Sequence, residues 1–206
     1  MKENLEKIEN WLKENANQIV DLSLQKPATE SETLDLENVV GKALPADFKQ
    51  LYFWHNGLND DENIGSLFYG IDFLPIDRII SEYNYRRENY SENIPVQKVD
   101  GEIDASSIYN SGWVKFGFDS SHTSLYVDLA PSPEGKYGQI IFMDDEYEVG
   151  ILVANSTAEL VENFINDLEN HLYHLDEDAL EDGNHYLETA EKIDIVNWQN
   201  SEMWTR

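Results

Sequence analysis

No cysteine occurs among the 206 residues, which removes disulfides, thiolate nucleophiles and cysteine-ligated zinc or iron–sulfur sites together. A chain of this length needs no covalent staple, because a domain of this size can bury roughly 70% of its unfolded surface. Basic residues are scarce: 14 Lys and Arg stand against 41 Asp and Glu, for a net charge of −27 and a pI near 4.2. Such a surface repels phosphates, so nucleic acid is not expected as a direct partner. A basic protein is the natural complement, and a field of this sign raises its encounter rate by about 10 to 1,000 fold at low salt. The plainer reading of the same charge is solubility. No apolar run approaches the roughly 20 residues of a membrane span. Residues 1–10 alternate Lys and Glu with isolated apolar residues, unlike a secretory signal. No membrane contact is expected, and the cytoplasm is the expected compartment.

Catalytic motifs are also missing. There is no glycine-rich phosphate loop, no Gly-x-Ser-x-Gly elbow and no His-Glu-x-x-His helix. Of the five histidines, His55, His122, His171, His174 and His185, only His171 and His174 share a helical spacing, and no ligand set converges on them in the sequence. The expectation is therefore no enzyme, no catalytic residues, no cofactor and no metal. The remaining catalytic option would draw on His55 or His122 with Asp119 or Asp128, and no spacing supports it.

What is present is organised around Leu44-Pro45-Ala46-Asp47-Phe48-Lys49-Gln50-Leu51-Tyr52-Phe53-Trp54-His55-Asn56-Gly57. Pro45 suits a first helical turn, and Phe48, Leu51, Tyr52 and His55 fall on one helical face. Gly57 closes the helix, since glycine reaches positive φ without steric cost. Upstream, Leu5, Ile8, Leu12, Ala16 and Ile19 predict one amphipathic helix over residues 1–20. Residues 24–31 read as a connector, and a second helix over 32–40 stops at Gly41.

Downstream, residues 66–74 are rich in aromatic and aliphatic side chains and predict a strand, with Asp77 capping a helix that presents Ile79, Ile80 and Tyr83. Arg86 and Arg87 at its end are expected to pair with Glu82 or Glu88. Residues 90–112 lose all period and read as a surface excursion. Alternation then returns in four runs, 113–118, 124–129, 137–143 and 147–153. Ser156 and Glu159 form a capping box ahead of a strong apolar stripe, Leu160, Val161, Phe164, Ile165, Leu168 and Leu172. The tail, 173–206, carries nine acidic residues against Lys192 and Arg206 but holds Ile193, Ile195, Trp198 and Trp204, too apolar for a solvated tail.

The 44–57 pattern resembles the signature of the SUKH superfamily, which joins fungal Smi/Knr regulators of cell-wall glucan synthesis to many bacterial immunity proteins. Three further blocks are similar: the helix, connector, helix and glycine before it; the run through Trp113, Asp128-Leu129-Ala130-Pro131, Gly135 and Gly138-Gln139-Ile140-Ile141; and the capped helix at Ser156. The resemblance implies a protein-binding module. Its first expected role is an immunity protein that neutralises a basic, nuclease-type toxin; the alternative is a scaffold or regulator of cell-wall synthesis or signalling of the Smi/Knr type.

The expected architecture is a single α+β domain over 1–172, with a largely antiparallel sheet flanked by N- and C-terminal helices, and an acidic extension over 173–206 packing on it. Two acidic clusters are the candidate partner-binding residues: Asp60, Asp61 and Glu62, and Asp144, Asp145 and Glu146. Adjacent acids with no apolar pocket around them stay ionised, so they suit binding by charge rather than acid–base chemistry.

Overall fold

The structure, a computed structural model, describes residues 1–59, 65–90 and 93–205. Helix α1 (Lys2–Asn15) buries Leu5, Ile8 and Leu12. The single predicted helix is broken here: Ala16, fully buried, leaves helical geometry at φ −146°, and Ile19–Ser23 forms a separate wide turn. Helix α2 (Glu30–Val40) starts two residues earlier than predicted, at a capping box in which Thr29 accepts from the Glu32 amide and the Glu32 carboxylate accepts from the Thr29 N–H at 2.7 Å. The Thr29 hydroxyl, then the Thr29 N–H, both donating to the Glu32 carboxylate, hold that carboxyl below its ordinary range, so the cap's contribution is present at neutral pH and lost as pH falls through the lowered value. Thr29→Ala is expected to cost about 1 kcal/mol, read by urea unfolding.

Helix α3 (Ala46–Trp54) is the signature helix, with Phe48, Leu51 and Tyr52 buried. The predicted strand over 66–74 is mostly a tight turn: Tyr69 and Gly70 have φ of 56° and 75°, and only Asp72–Phe73 (β1) pairs in the sheet. The cause is long-range. Ser66 Oγ donates to the Leu187 carbonyl and accepts from its N–H, and the Tyr69 N–H donates to Tyr173 Oη, so this backbone is bonded to the C-terminal segment.

Helix α4 (Ile76–Asn89) follows, with Pro75 rather than Asp77 at its cap. Strand β2 (Lys98–Val99) lies in the stretch expected to be a surface excursion. Strands β3 (Trp113–Phe118), β4 (Thr123–Asp128), β5 (Gln139–Asp144) and β6 (Val149–Ala154) form the predicted meander. The order is β1-β3-β4-β5-β6-β2, antiparallel throughout except that β2 runs parallel to β6. Helix α5 (Thr157–Glu169) is capped by Ser156 as expected, although the Glu159 carboxylate reaches back to the Asn155 N–H rather than to that of Ser156. A short hairpin of β7 (Tyr173–Leu175) and β8 (Leu187–Thr189) surrounds α6 (Glu177–Glu181).

Helices α3 and α5 cover one face of the sheet. Phe48 meets Phe116 edge-on at 5.6 Å, and Phe68 meets Phe164 at 4.9 Å. Ile193, Ile195, Trp198 and Trp204 join this core. The opposite face is also dry, because Val96, Ile103 and Ile108 from the 90–112 stretch pack on Trp113, Tyr126, Ile141 and Met143. Residues 93–112 are thus a lid on the sheet rather than a surface excursion. Its apolar residues are too widely spaced to give a periodic signal. No helix among the described residues is long and apolar enough to cross a membrane.

Candidate functional site

The turn between β5 and β6 holds one of the two acidic clusters, and its three acids have three different environments. Asp144 is buried: Oδ1 accepts from the Glu146 and Tyr147 N–H groups at 3.1 and 3.0 Å, and Oδ2 from the Trp198 indole at 2.9 Å. It ties the turn to the C-terminal segment. Asp145 is half-buried; burial pushes its carboxyl above the ordinary range, against the pull of Arg86 and Lys115. Only Glu146 is exposed, beside the exposed ring of Tyr147. Of the three candidate partner-binding acids in this cluster, Glu146 alone is therefore fully open to a partner. The other cluster, Asp60, Asp61 and Glu62, lies outside the described residues. Asp144→Ala should leave three donors without their acceptor and cost about 1–3 kcal/mol, whereas Glu146→Ala should change unfolding by less than about 0.5 kcal/mol.

The residues of the catalytic option are held in structural bonds. His122 Nδ1 lies 2.8 Å from Ser121 Oγ, yet its Nε2 is 4.0 Å from Asp144, beyond the hydrogen bond that would orient a general base. Asp119 accepts from the Ser121 and Thr123 N–H groups within its turn. Asp128, fully buried, accepts from the Ala130 N–H and the Gln139 amide. His55 Nδ1 lies 2.6 Å from the Gln25 carbonyl.

The end of α3 is equally architectural. Asn56 Oδ1 accepts from the Ile76 N–H at 3.0 Å and its Nδ2 donates to Glu32, so one side chain joins α2, α3 and α4. Gly57 has φ +76°, and a Cβ there would lie 2.4 Å from the Pro75 nitrogen.

Two further surface features were not singled out in the sequence. One is a groove of about 490 Å³ between α1 and α3, lined by Lys2, Leu5, Glu6, Glu9, Gln50, Phe53 and Trp54, with Lys2 3.8 Å from Glu6. Phe53 is 40% exposed, and Trp54 donates its indole N–H to Glu9 at 3.0 Å. A hydrogen bond from Lys13, then that from Trp54, hold the Glu9 carboxyl below its ordinary range, against the effect of burial, so an ionised acid sits at the groove's edge. Its sequence signal was Phe53, a large apolar residue off the buried stripe of its helix. The other is the acidic projection around α6, where Asp176, Glu177, Asp178, Glu181 and Asp182 surround the exposed Leu180. Helices α2 and α5 add to the field: each carries four acidic residues and no basic one.

The structure is an α+β domain whose motif residues hold its frame, with acids spread over the outside. The chain belongs to the SMI1 / KNR4 family (SUKH-1), whose family model matches residues 27–163. It is similar to the "Cell wall biosynthesis/cell cycle regulator smi1" of Schizosaccharomyces pombe, at 26% identity over 85% of this chain and 38% of that protein. It is also similar to the "Cell wall assembly regulator SMI1" of Saccharomyces cerevisiae, at 25% identity over 79% of this chain and 39% of that protein. The "Glucan synthesis regulatory protein" of Neurospora crassa is 24% identical over 85% and 40%. The chain spans about two fifths of the length of these relatives.

Proposed function

We propose that this chain is a non-enzymatic protein-binding module that regulates cell-wall synthesis by holding a basic protein partner. Family membership carries the reading, because the relatives named above are called regulators of wall assembly and glucan synthesis. Toxin neutralisation, placed first on the sequence, ranks behind it: none of those three relatives is called an immunity protein. The acidic field supports either partner, since it steers any basic surface toward the chain. The groove between α1 and α3 suits an amphipathic segment, with Phe53 and Trp54 for its apolar side and Glu6 and Glu9 for its basic residues. Co-purification from the native cell at low salt tests the reading. Recovery of wall-synthesis or signalling proteins is expected, and recovery of a toxin alone would reverse the order of the two roles.

A further inference from the structure

Arg86 and Arg87 do not form the ion pairs the sequence suggested. Glu82 is taken by Arg78 at 3.1 Å, and Arg87 donates instead to Asn84. The Arg86 guanidinium lies between two rings, 5.0 Å from the centre of Tyr126 and 5.8 Å from that of Tyr109, and donates to the Ile108 carbonyl at 2.8 Å. Its other N–H donors have no acceptor among the described residues. Acids outnumber bases 41 to 14 in this chain, so want of carboxylates does not explain two guanidinium groups with none at ion-pair distance among the described residues.

Both arginines line a slot of about 120 Å³ between α4 and the 107–113 loop. Its walls are Tyr83, Tyr90, Tyr109 and Trp113, with Asn110 and Ser111 at the loop, and no carboxylate among the described residues lines it. A volume of that order holds a few waters, at about 30 Å³ each, or one small ion. Beside it, the Lys115 ammonium is packed 4.2 Å from the Phe118 ring and 5.9 Å from Tyr126, with no ion-pair partner among the described residues. Lys115 is 9% exposed. Burial and the neighbouring Arg86 push its pKa down, while Asp145, Glu82 and Asp119 pull it the other way. Tyr126 Oη and Ser124 Oγ, both fully buried and near one another, have no hydrogen bond of full geometry among the described residues.

Two cations thus share one aromatic ring at low dielectric, and Asp145, the carboxylate that acts on both, lies beyond ion-pair distance of either. An anion in the slot would accept the remaining Arg86 donors and add to the pull of Asp145 on the two cations. Guanidinium is the side chain best matched to phosphate and carboxylate oxygens, and a slot without acids favours the ion carrying more charge. We propose that the slot between α4 and the 107–113 loop binds a phosphate-type oxyanion, held by Arg86 and Arg87. The site is independent of the wall-regulator reading and gives an acidic protein one place for a ligand of its own sign.

The chain has four arginines, Arg78, Arg86, Arg87 and Arg206, so their Nε–Hε signals in a nitrogen-15 spectrum report the site directly. Inorganic phosphate is titrated into the full chain at constant ionic strength, with chloride as the balancing ion. Saturating shifts are expected at Arg86 and Arg87, with Arg78 unmoved. Arg87→Gln should weaken binding at least tenfold without unfolding, because Arg87 is exposed and among the described residues bonds only Asn84. Arg86→Lys, which keeps the charge and loses the fork, should also weaken it. Phenyl phosphate separates the sources: tighter binding than phosphate assigns the slot to an ester, weaker binding to the free ion, and either result supports an oxyanion site. Non-saturating shifts of all four arginines alike would mean screening only and would overturn the proposal. Tighter binding of acetate than of phosphate would overturn the phosphate assignment.

Discussion

Gly57→Ala is expected to destabilise the chain by about 2–5 kcal/mol, and Gly41→Ala by about 1 kcal/mol, although both glycines have nearly the same backbone conformation, φ +76° and +73°. A Cβ at Gly41 meets nothing within 4 Å, so its cost is the left-handed backbone alone. A Cβ at Gly57 lies 2.4 Å from the Pro75 nitrogen, 2.6 Å from the Leu74 carbonyl carbon and 2.7 Å from the Pro75 Cα, all backbone atoms. No rotamer change can clear them. Yielding would move the junction where the Asn56 side chain and the Tyr52 hydroxyl bond residues 74–76. For a domain of this size, each 1 kcal/mol shifts Tm by about 2–4 °C, so calorimetry separates the two variants. Equal losses at both positions would show that the close approach to Pro75 is not what Gly57 serves.

Neutralising the exposed acids of α2 and α5, with Glu30, Asp35, Glu162 and Glu169 changed to their amides or to Asn, is expected to slow association with a basic partner by about tenfold at low salt. These residues lie on the solvent side of helices whose opposite faces hold Leu36, Val40, Leu160 and Phe164, so the fold should be unaffected. Dissociation should change little if the charges act at a distance, because long-range steering alters the on-rate while desolvated contacts set the off-rate. A matching change in the α1–α3 groove, Phe53→Ser, should do the reverse and raise the off-rate. Surface plasmon resonance with the captured partner reads both rates.

The elements legible in the sequence were those whose pattern is local. Phe48, Leu51 and Tyr52 marked α3; the alternation of Val114, Phe116, Leu125 and Val127 marked the meander; Ser156 marked the start of α5. The misread stretches answer to distant partners. Residues 66–74 look like a strand, yet Leu187 and Tyr173, more than 100 positions away, take their backbone into a turn. Asp144 looks like one of three loop acids, yet the Trp198 indole lies on it. The lid over the sheet's far face was hidden because Val96, Ile103 and Ile108 bury one residue each from an irregular chain. Arg86 was expected to pair along its own helix, and the tyrosines it enters come from the lid and from β4.

The rate of association between this chain and the partner captured from the native cell, measured by stopped flow from about 50 to 500 mM salt, tests binding through the acidic surface most directly. The Debye length falls to less than half over that range. Steering by a surface of net charge −27 predicts an association rate that drops at least tenfold while the dissociation rate changes far less. An association rate that stays flat across the range would contradict it and leave the charge as a matter of solubility alone.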